Sequence, residues 1–348
     1  MNNVPPRDDA GRFQEPHERV ASAENVRRWR IWLFVLVSSL TACTAILYIA
    51  VIVIDPFSTG RFSLTQRIDF ATRTMRLADA GLVRDLRFDA AVLGDSTGLT
   101  LDPARIAGTS RWRIAQLAIP AATPANILTV ASAFERHHRA VRTLEVFVLS
   151  GGWCRSNDPN ASRFGPFPDW LYQSSDRVYL SRIFFPDAIT SAAVRVGIWL
   201  GLTDQAAPAD GFAPAFRARN NTEFLGERQT GGPPPNAPFP AIDVLMAHIS
   251  ALPAHSAVAF VLVPPYVSLL PLDGSVADAR LRACKERIQR IVAERPGTAY
   301  LDLMTDNSIS RSIENFQDPV HYNPEGARQI ESRIARLIEQ SGLTPPSR

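Results

Sequence analysis

Two short segments of this chain hold residue types that could carry out covalent chemistry. Gly94-Asp95-Ser96 follows directly on the apolar run Ala90-Ala91-Val92-Leu93. A serine at the end of a buried strand, flanked by a glycine and an acid, can present its hydroxyl as a nucleophile if a base stands near. The same residues are common helix caps, so Asp95 or Ser96 could simply start the next helix. Far along the chain, Asp318-Pro319-Val320-His321 precedes Tyr322-Asn323-Pro324-Glu325-Gly326. An acid placed there can orient the imidazole and stabilise its charged form while the imidazole takes the serine's proton. The plainer reading is a loop whose acid caps a turn and whose histidine is exposed. Taken as a pair, Ser96 and His321 could serve as a nucleophile and its base.

The surrounding elements must bring these two segments together. Apolar runs that read as buried strands are Ala90–Leu93, Arg113–Ala118, Leu144–Leu149, Ala257–Val263 and Ala299–Leu303. Helical patterns lie between them, at Ala125–His137, Ile242–Leu252, Val276–Glu294 and Pro324–Ile338, with another around Gln66–Leu77. This alternation predicts an α/β fold with a mostly parallel sheet covered on both faces. Active sites of such sheets form beyond the C-terminal strand ends. Residues at about 155–240 break the pattern. They are rich in Pro, Gly and aromatics, with helical pieces at Asp176–Phe185 and Asp187–Leu202, and read as an insertion into a domain of 89–342. Trp153, Phe164, Phe167, Trp170 and Tyr172 could stack on sugar rings there or form the insertion's own small core.

Ile31–Ile54 holds no charged residue, roughly 24 positions or about 36 Å of helix, enough to cross a bilayer. Arg27, Arg28 and Arg30 precede it, and Asp55-Pro56 follow. The positive-inside rule then places the N-terminal tail, 1–30, in the cytoplasm and the rest outside a bacterial inner membrane, in the periplasm. The tail is polar as far as residue 26 and is expected to be disordered; 55–88 reads as a connector. Leu40-Thr41-Ala42-Cys43 also has the look of a lipid-modification site, but the apolar run continues past it. Cys154 and Cys284 could pair if exported, or remain two buried thiols. Net charge is +3, and of 37 basic residues only Lys285 is lysine. The arginines are scattered, which argues against nucleic-acid binding. No Cys/His spacing suits zinc and no glycine loop suits a nucleotide, so neither metal nor cofactor is expected.

A GDS after the first strand and a DxxH before the last helix together resemble the first and fifth blocks of SGNH/GDSL hydrolases, over roughly residues 88–340. That resemblance implies a flavodoxin-like three-layer sandwich behind the transmembrane helix. It makes Ser96 the nucleophile, His321 the base and Asp318 the orienting acid, with Gly94 and Asp95 supporting the turn. The family's second block has an oxyanion-hole glycine. Here Gln116-Leu117-Ala118-Ile119-Pro120-Ala121-Ala122-Thr123 has none, leaving the backbone N–H of Ala121 or Ala122 beside that of Ser96. The third block is Gly-x-Asn. Here Gly151-Gly152-Trp153-Cys154 places no asparagine in register, and Asn157 is the nearest substitute.

One span followed by an outer SGNH domain is similar to the AlgJ/AlgX-like group of bacterial polysaccharide O-acetyltransferases. By that likeness the substrate is a polysaccharide or other acylated molecule, and a membrane-bound O-acyltransferase is the expected partner. The expected activity is an extracytoplasmic O-acyl esterase or O-acyltransferase. The alternatives are a lipase or small-ester hydrolase at the membrane surface, and a non-catalytic binding or assembly subunit of an envelope complex. The departures in the middle blocks motivate the last.

Overall fold

The computed structural model describes residues 16–63, 75–155, 157–161, 166–203, 208–214, 216, 224 and 226–345, with the backbone alone over 16–23. Strands β1 (Ala90–Gly94), β2 (Ile114–Ala118), β3 (Leu144–Leu149), β4 (Ala257–Leu262) and β5 (Thr298–Asp302) form one sheet in the order β2-β1-β3-β4-β5. Every pairing is parallel. That order is the flavodoxin-like doubly wound arrangement, with its switch point between β1 and β3. The expected α/β architecture is therefore present, and its sheet is parallel throughout.

Every residue of β1 to β4 is buried, as strands covered on both faces must be. Alternate side chains feed two cores. Ala91, Leu93, Phe147, Phe260 and Leu262 face one layer, which includes helices α4 (Pro124–His138), α8 (Pro240–Ala251) and α9 (Val276–Glu294). Val92, Val146, Val148, Ala259 and Val261 face the other, formed by α3 (Pro103–Ala107) and α11 (Pro324–Gln340). A further short helix, α10 (Ser308–Arg311), lies between β5 and α11.

Local chemistry fixes where these helices begin. Thr123 and Asn126 form a reciprocal capping box at α4, with Pro124 in its first turn. Asn323 caps α11 by accepting from the N–H groups of Glu325 and Gly326. Gly326 is the residue that lets α11 approach: a Cβ there would stand 2.1 Å from the carbonyl oxygen of Asn315.

The insertion holds α5 (Asp169–Tyr172), α6 (Asp176–Arg182) and α7 (Pro186–Trp199). Among its described residues there is no separate core. Trp170, Tyr172, Tyr179 and Ile183 join the same cluster as the α4 and α8 side chains. Arg84 and Arg136 donate to the carbonyls of Leu171 and Tyr172, and the Tyr172 hydroxyl donates to the carbonyl of Arg76 in α2 (Met75–Leu82). Most of the expected helix at 66–77 lies outside the described residues; α2 starts at its C-terminal edge.

Helix α1 (Pro16–Ile54) is longer than the apolar run at its C-terminal end. The tail expected to be disordered to residue 26 is helical from Pro16, and residues 1–15 lie outside the described residues. Helix formers such as Ala, Glu and Arg, and the Glu24–Arg28 pair one turn apart, let the helix propagate backward from the span. Glu24–Ile54 contains an 18-residue stretch with a mean hydropathy of 2.3 and is long and apolar enough to cross a membrane. Its side chains are exposed until Tyr48, where the helix meets the domain. Val51 is buried, and Tyr48, Ile52 and Ile54 pack against the core.

Candidate active site

The two segments separated by 225 positions meet above the C-terminal ends of β1 and β3. His321 Nε2 lies 2.8 Å from Ser96 Oγ. His321 Nδ1 lies 2.6 Å from Asp318 Oδ2. An ionised carboxylate can only accept, so Nδ1 carries the proton and Nε2 faces the serine as the acceptor. This is the tautomer a general base needs.

Each partner is held by its own turn. After β1 the chain turns at once: the Asp95 carbonyl accepts from Gly98 N–H and its Oδ1 accepts from the N–H and hydroxyl of Thr97, at 2.9 and 2.7 Å. Helix capping does not account for these residues, because the next helix is capped by Asp102. Gly94 permits the packing: a Cβ there would come 3.1 Å from Val148 Cβ.

The acid loop serves both roles open in the sequence. Asp318 Oδ1 caps the turn, accepting from the N–H groups of Val320 and His321 at 2.9 Å each, while Oδ2 holds the imidazole. Partial burial pushes the Asp318 carboxyl upward. The hydrogen bonds from the His321 ring and the two backbone N–H groups outweigh that, so it sits below the usual carboxylate range. The loop is pinned from outside: Gln317 N–H donates to the His321 carbonyl, and Tyr266 N–H donates to the Pro319 carbonyl.

Ser96 opens into a cavity of about 910 Å³. Ala121, Ala122, Gly151 and Asn157 all line it, so every residue expected at an oxyanion hole faces the same space. Ala121 has φ of +55°, in the left-handed region that glycine favours. An alanine thus stands in a conformation that glycine favours, at about 1–2 kcal/mol of local strain. Arg76 donates to the carbonyls of Pro120 and Ala121 and holds that loop. Gly151 begins a 3₁₀ turn, Gly151–Cys154, and Asn157 follows it.

Several contributors lie outside the two motifs. Ser150 donates to Asp95 Oδ2 at 2.6 Å. Cys154, at the end of the 3₁₀ turn, is disulfide-bonded to Cys284 of α9, with Cα atoms 5.6 Å apart across a separation of 130 residues. The alternative of two free thiols is thereby overturned. Arg280 donates to the carbonyls of Pro234, Ala237 and Pro238 and lies 3.8 Å over the Phe239 ring. It folds the Gly- and Pro-rich segment, including Gly231, Gly232 and Pro233, against the cavity.

The aromatics considered for sugar stacking are placed otherwise. Trp153, Trp170 and Tyr172 are buried in the core, and Phe167 stacks on Tyr172 at 5.2 Å. Apolar area of that size is removed from water when it can reach a core. Phe164 lies outside the described residues.

No protein-family model matches the chain, and no curated protein matches it.

Proposed function

We propose that this protein is a membrane-anchored serine esterase or O-acyltransferase of the SGNH type, acting on acyl groups of an exported or envelope polysaccharide. The observation that carries the reading is the relay from Asp318 through His321 to Ser96, with both contacts inside hydrogen-bond range. In it, Ser96 Oγ attacks the acyl carbonyl as its proton passes to His321 Nε2, and Asp318 stabilises the imidazolium. The carbonyl oxygen gains charge toward the N–H groups of Ser96, Ala121 and Gly151, with Ala122 and Asn157 beside them. The C–O bond to the leaving alcohol breaks, and that oxygen takes the proton from His321. Acyl-Ser96 then yields to water or to a sugar hydroxyl, which His321 deprotonates in turn.

Arg27, Arg28 and Arg30 ahead of the span favour a cytoplasmic N-terminus with the catalytic domain in the periplasm. The Cys154–Cys284 bond fits an oxidising compartment. The one candidate span among the described residues provides no path for an acyl donor, so a membrane-bound O-acyltransferase is the partner this reading calls for.

One feature favours a second reading, a non-catalytic subunit that binds acylated polymer: no asparagine stands two places after Gly151 or Gly152. The test is labelling of the full chain by a fluorophosphonate probe, together with p-nitrophenyl acetate turnover. Labelling and turnover lost in both Ser96→Ala and His321→Ala support the serine enzyme. A folded wild-type chain that does neither, alone or with an oligosaccharide acceptor, supports the binding subunit.

A further inference from the structure

The cavity around Ser96 has two unlike halves, and the strand order separates them. Along the C-terminal edge of the sheet stand Ala121 after β2, Ser96 after β1, Gly151 after β3, Pro265 after β4 and Met304 after β5. All five line the same cavity of about 910 Å³. On the β2 side the lining is polar. Thr123, Asn157 and Asp158 face it, and a bond from Ala125 N–H to the Pro159 carbonyl, 3.3 Å long, keeps the last two beside the start of α4. On the β4 and β5 side the lining is apolar. It is made by Pro265 and Leu270 from the loop after β4, Ala277 and Leu281 from the first turns of α9, and Met304. Arg280 is the one charged residue among the described lining of that half. Its guanidinium is taken up by the carbonyls of Pro234, Ala237 and Pro238. Gln229 also borders this half, and its carbonyl accepts from Leu272 N–H at 2.9 Å.

The apolar wall is held in place from behind. Met304 N–H donates to Asp302 Oδ1 at 3.0 Å, its carbonyl accepts from Lys285 at 2.6 Å, and Lys285 pairs with Asp302 at 2.8 Å. The Cys154–Cys284 bond fixes the Gly151 turn to α9 about one turn beyond Leu281. An apolar recess kept open in this way forgoes dispersion contacts that a ligand can supply. An acetyl group is too short to supply them. Strands lie about 4.8 Å apart, so the β4 end stands about 10 Å from the β1 end and the β5 end about 14 Å. The acetyl methyl stops one bond of about 1.5 Å beyond the carbonyl carbon. A chain of roughly six carbons or more is needed to pass the Gly151 turn and meet Leu270 and Met304.

We propose that the recess between Pro265, Leu270, Ala277, Leu281 and Met304 is the acyl subsite of this protein, and that it takes a straight acyl chain of about six carbons or more in preference to acetyl. The alcohol, a sugar on the reading above, then lies on the polar side with Asn157 and Asp158. This rests on the serine-enzyme reading and adds to it the class of acyl group transferred.

The test uses the full chain in lipid nanodiscs, with Ser96→Ala as background, and the p-nitrophenyl esters of acetate, butyrate and hexanoate. Release of p-nitrophenol in the first turnover reads acylation of Ser96, so it does not depend on whether water or a sugar takes the acyl group. The second-order rate of that release is expected to rise about tenfold or more from acetate to hexanoate. Leu281→Trp and Ala277→Phe fill the recess from two positions, and each is expected to bring the hexanoate-to-acetate ratio down toward one. Thermal melting identifies the variants that fold, and the wild-type series needs neither. Acetate preferred or equal across the wild-type series overturns the subsite and leaves the serine enzyme standing. A hexanoate preference unchanged in a folded variant places the chain elsewhere and overturns the assignment to this recess. No release from any ester, together with no labelling of Ser96 by a fluorophosphonate, removes the serine enzyme and the subsite together.

Discussion

The Ser150 hydroxyl donates to the Asp95 carboxylate at 2.6 Å, and this one bond ties the end of β3 to the end of β1. The same carboxylate also shapes the turn that presents Ser96. One acid therefore sets the spacing between Ser96 and the Gly151 turn on the neighbouring strand.

Asp95→Ala should then affect activity more than folding. It removes the partner of Ser150 and both contacts to Thr97 without opening a large cavity. Turnover of p-nitrophenyl acetate is expected to fall about 10²-fold through misplacement of Ser96. Urea denaturation should show a loss of only about 1–3 kcal/mol.

Asp318→Asn should retain the fold and lose the reaction, with kcat falling about 10³–10⁴-fold, because an amide no longer selects the required tautomer. The pH dependence of stability has a defined sign. Asp318 is held below the ordinary carboxylate range, so its contribution is present above the unfolded value, about 3.9, and is lost as pH falls through the lower folded one. Wild type and variant should therefore differ in denaturation midpoint at neutral pH and converge in strong acid.

Asp79 carries the opposite sign. Burial pushes its carboxyl well above the ordinary range, and its Oδ2 has no hydrogen-bond partner among the described residues. The folded state holds that proton longer than the unfolded chain does, so stability drops as pH rises from the unfolded value toward the folded one. Asp79→Asn should raise the thermal midpoint in mildly alkaline buffer and change it little in acid. Equal shifts at both pH values would contradict this account.

Reducing the Cys154–Cys284 bond should lower stability by about 2–5 kcal/mol. Cys154 closes the turn that Gly151 opens, so activity should fall under reductant at temperatures where the fold persists. Thermal melts and turnover with and without a phosphine reductant would show both effects.

Gly326→Ala should be the most damaging small substitution in α11. Its Cβ would meet the Asn315 carbonyl at 2.1 Å, and neither backbone can yield without moving the cap at Asn323, close behind His321. A loss of about 3 kcal/mol or more by chemical denaturation is expected.

The sheet was legible in the sequence because its strands are continuous apolar runs, and the helices between them begin at Pro or at capping residues such as Thr123 and Asn323. Ser96 was legible because motif and strand end coincide, and Asp318 and His321 because their motif stands just before the last helix. Other features depend on distance in space. Nothing local in Cys154 or Cys284 distinguishes a bridge across 130 residues from two buried thiols. Trp153, Trp170 and Tyr172 look the same in sequence whether they meet sugar or core; the choice was made by α2 and α4 packing beside Trp170 and Tyr172, and by α8 and α9 packing beside the turn of Trp153. Ala121 carries no mark of its left-handed backbone, since that conformation belongs to the loop rather than to the residue. The helical tail from Pro16 is a cooperative effect of the apolar helix that follows it.

The way α1 enters the domain has a further consequence. Its last turns are packed, and Arg195 clasps the backbone just beyond them, so the junction offers no slack. An anchor of that kind works as a pillar rather than a leash. Ser96 would stand at one height above the bilayer, and the molecule could search only by drifting in the plane. On the proposed reading, polymer would have to pass through that layer to be modified, and the length of the pillar, as much as the shape of the cavity, would bear on what this protein acts on.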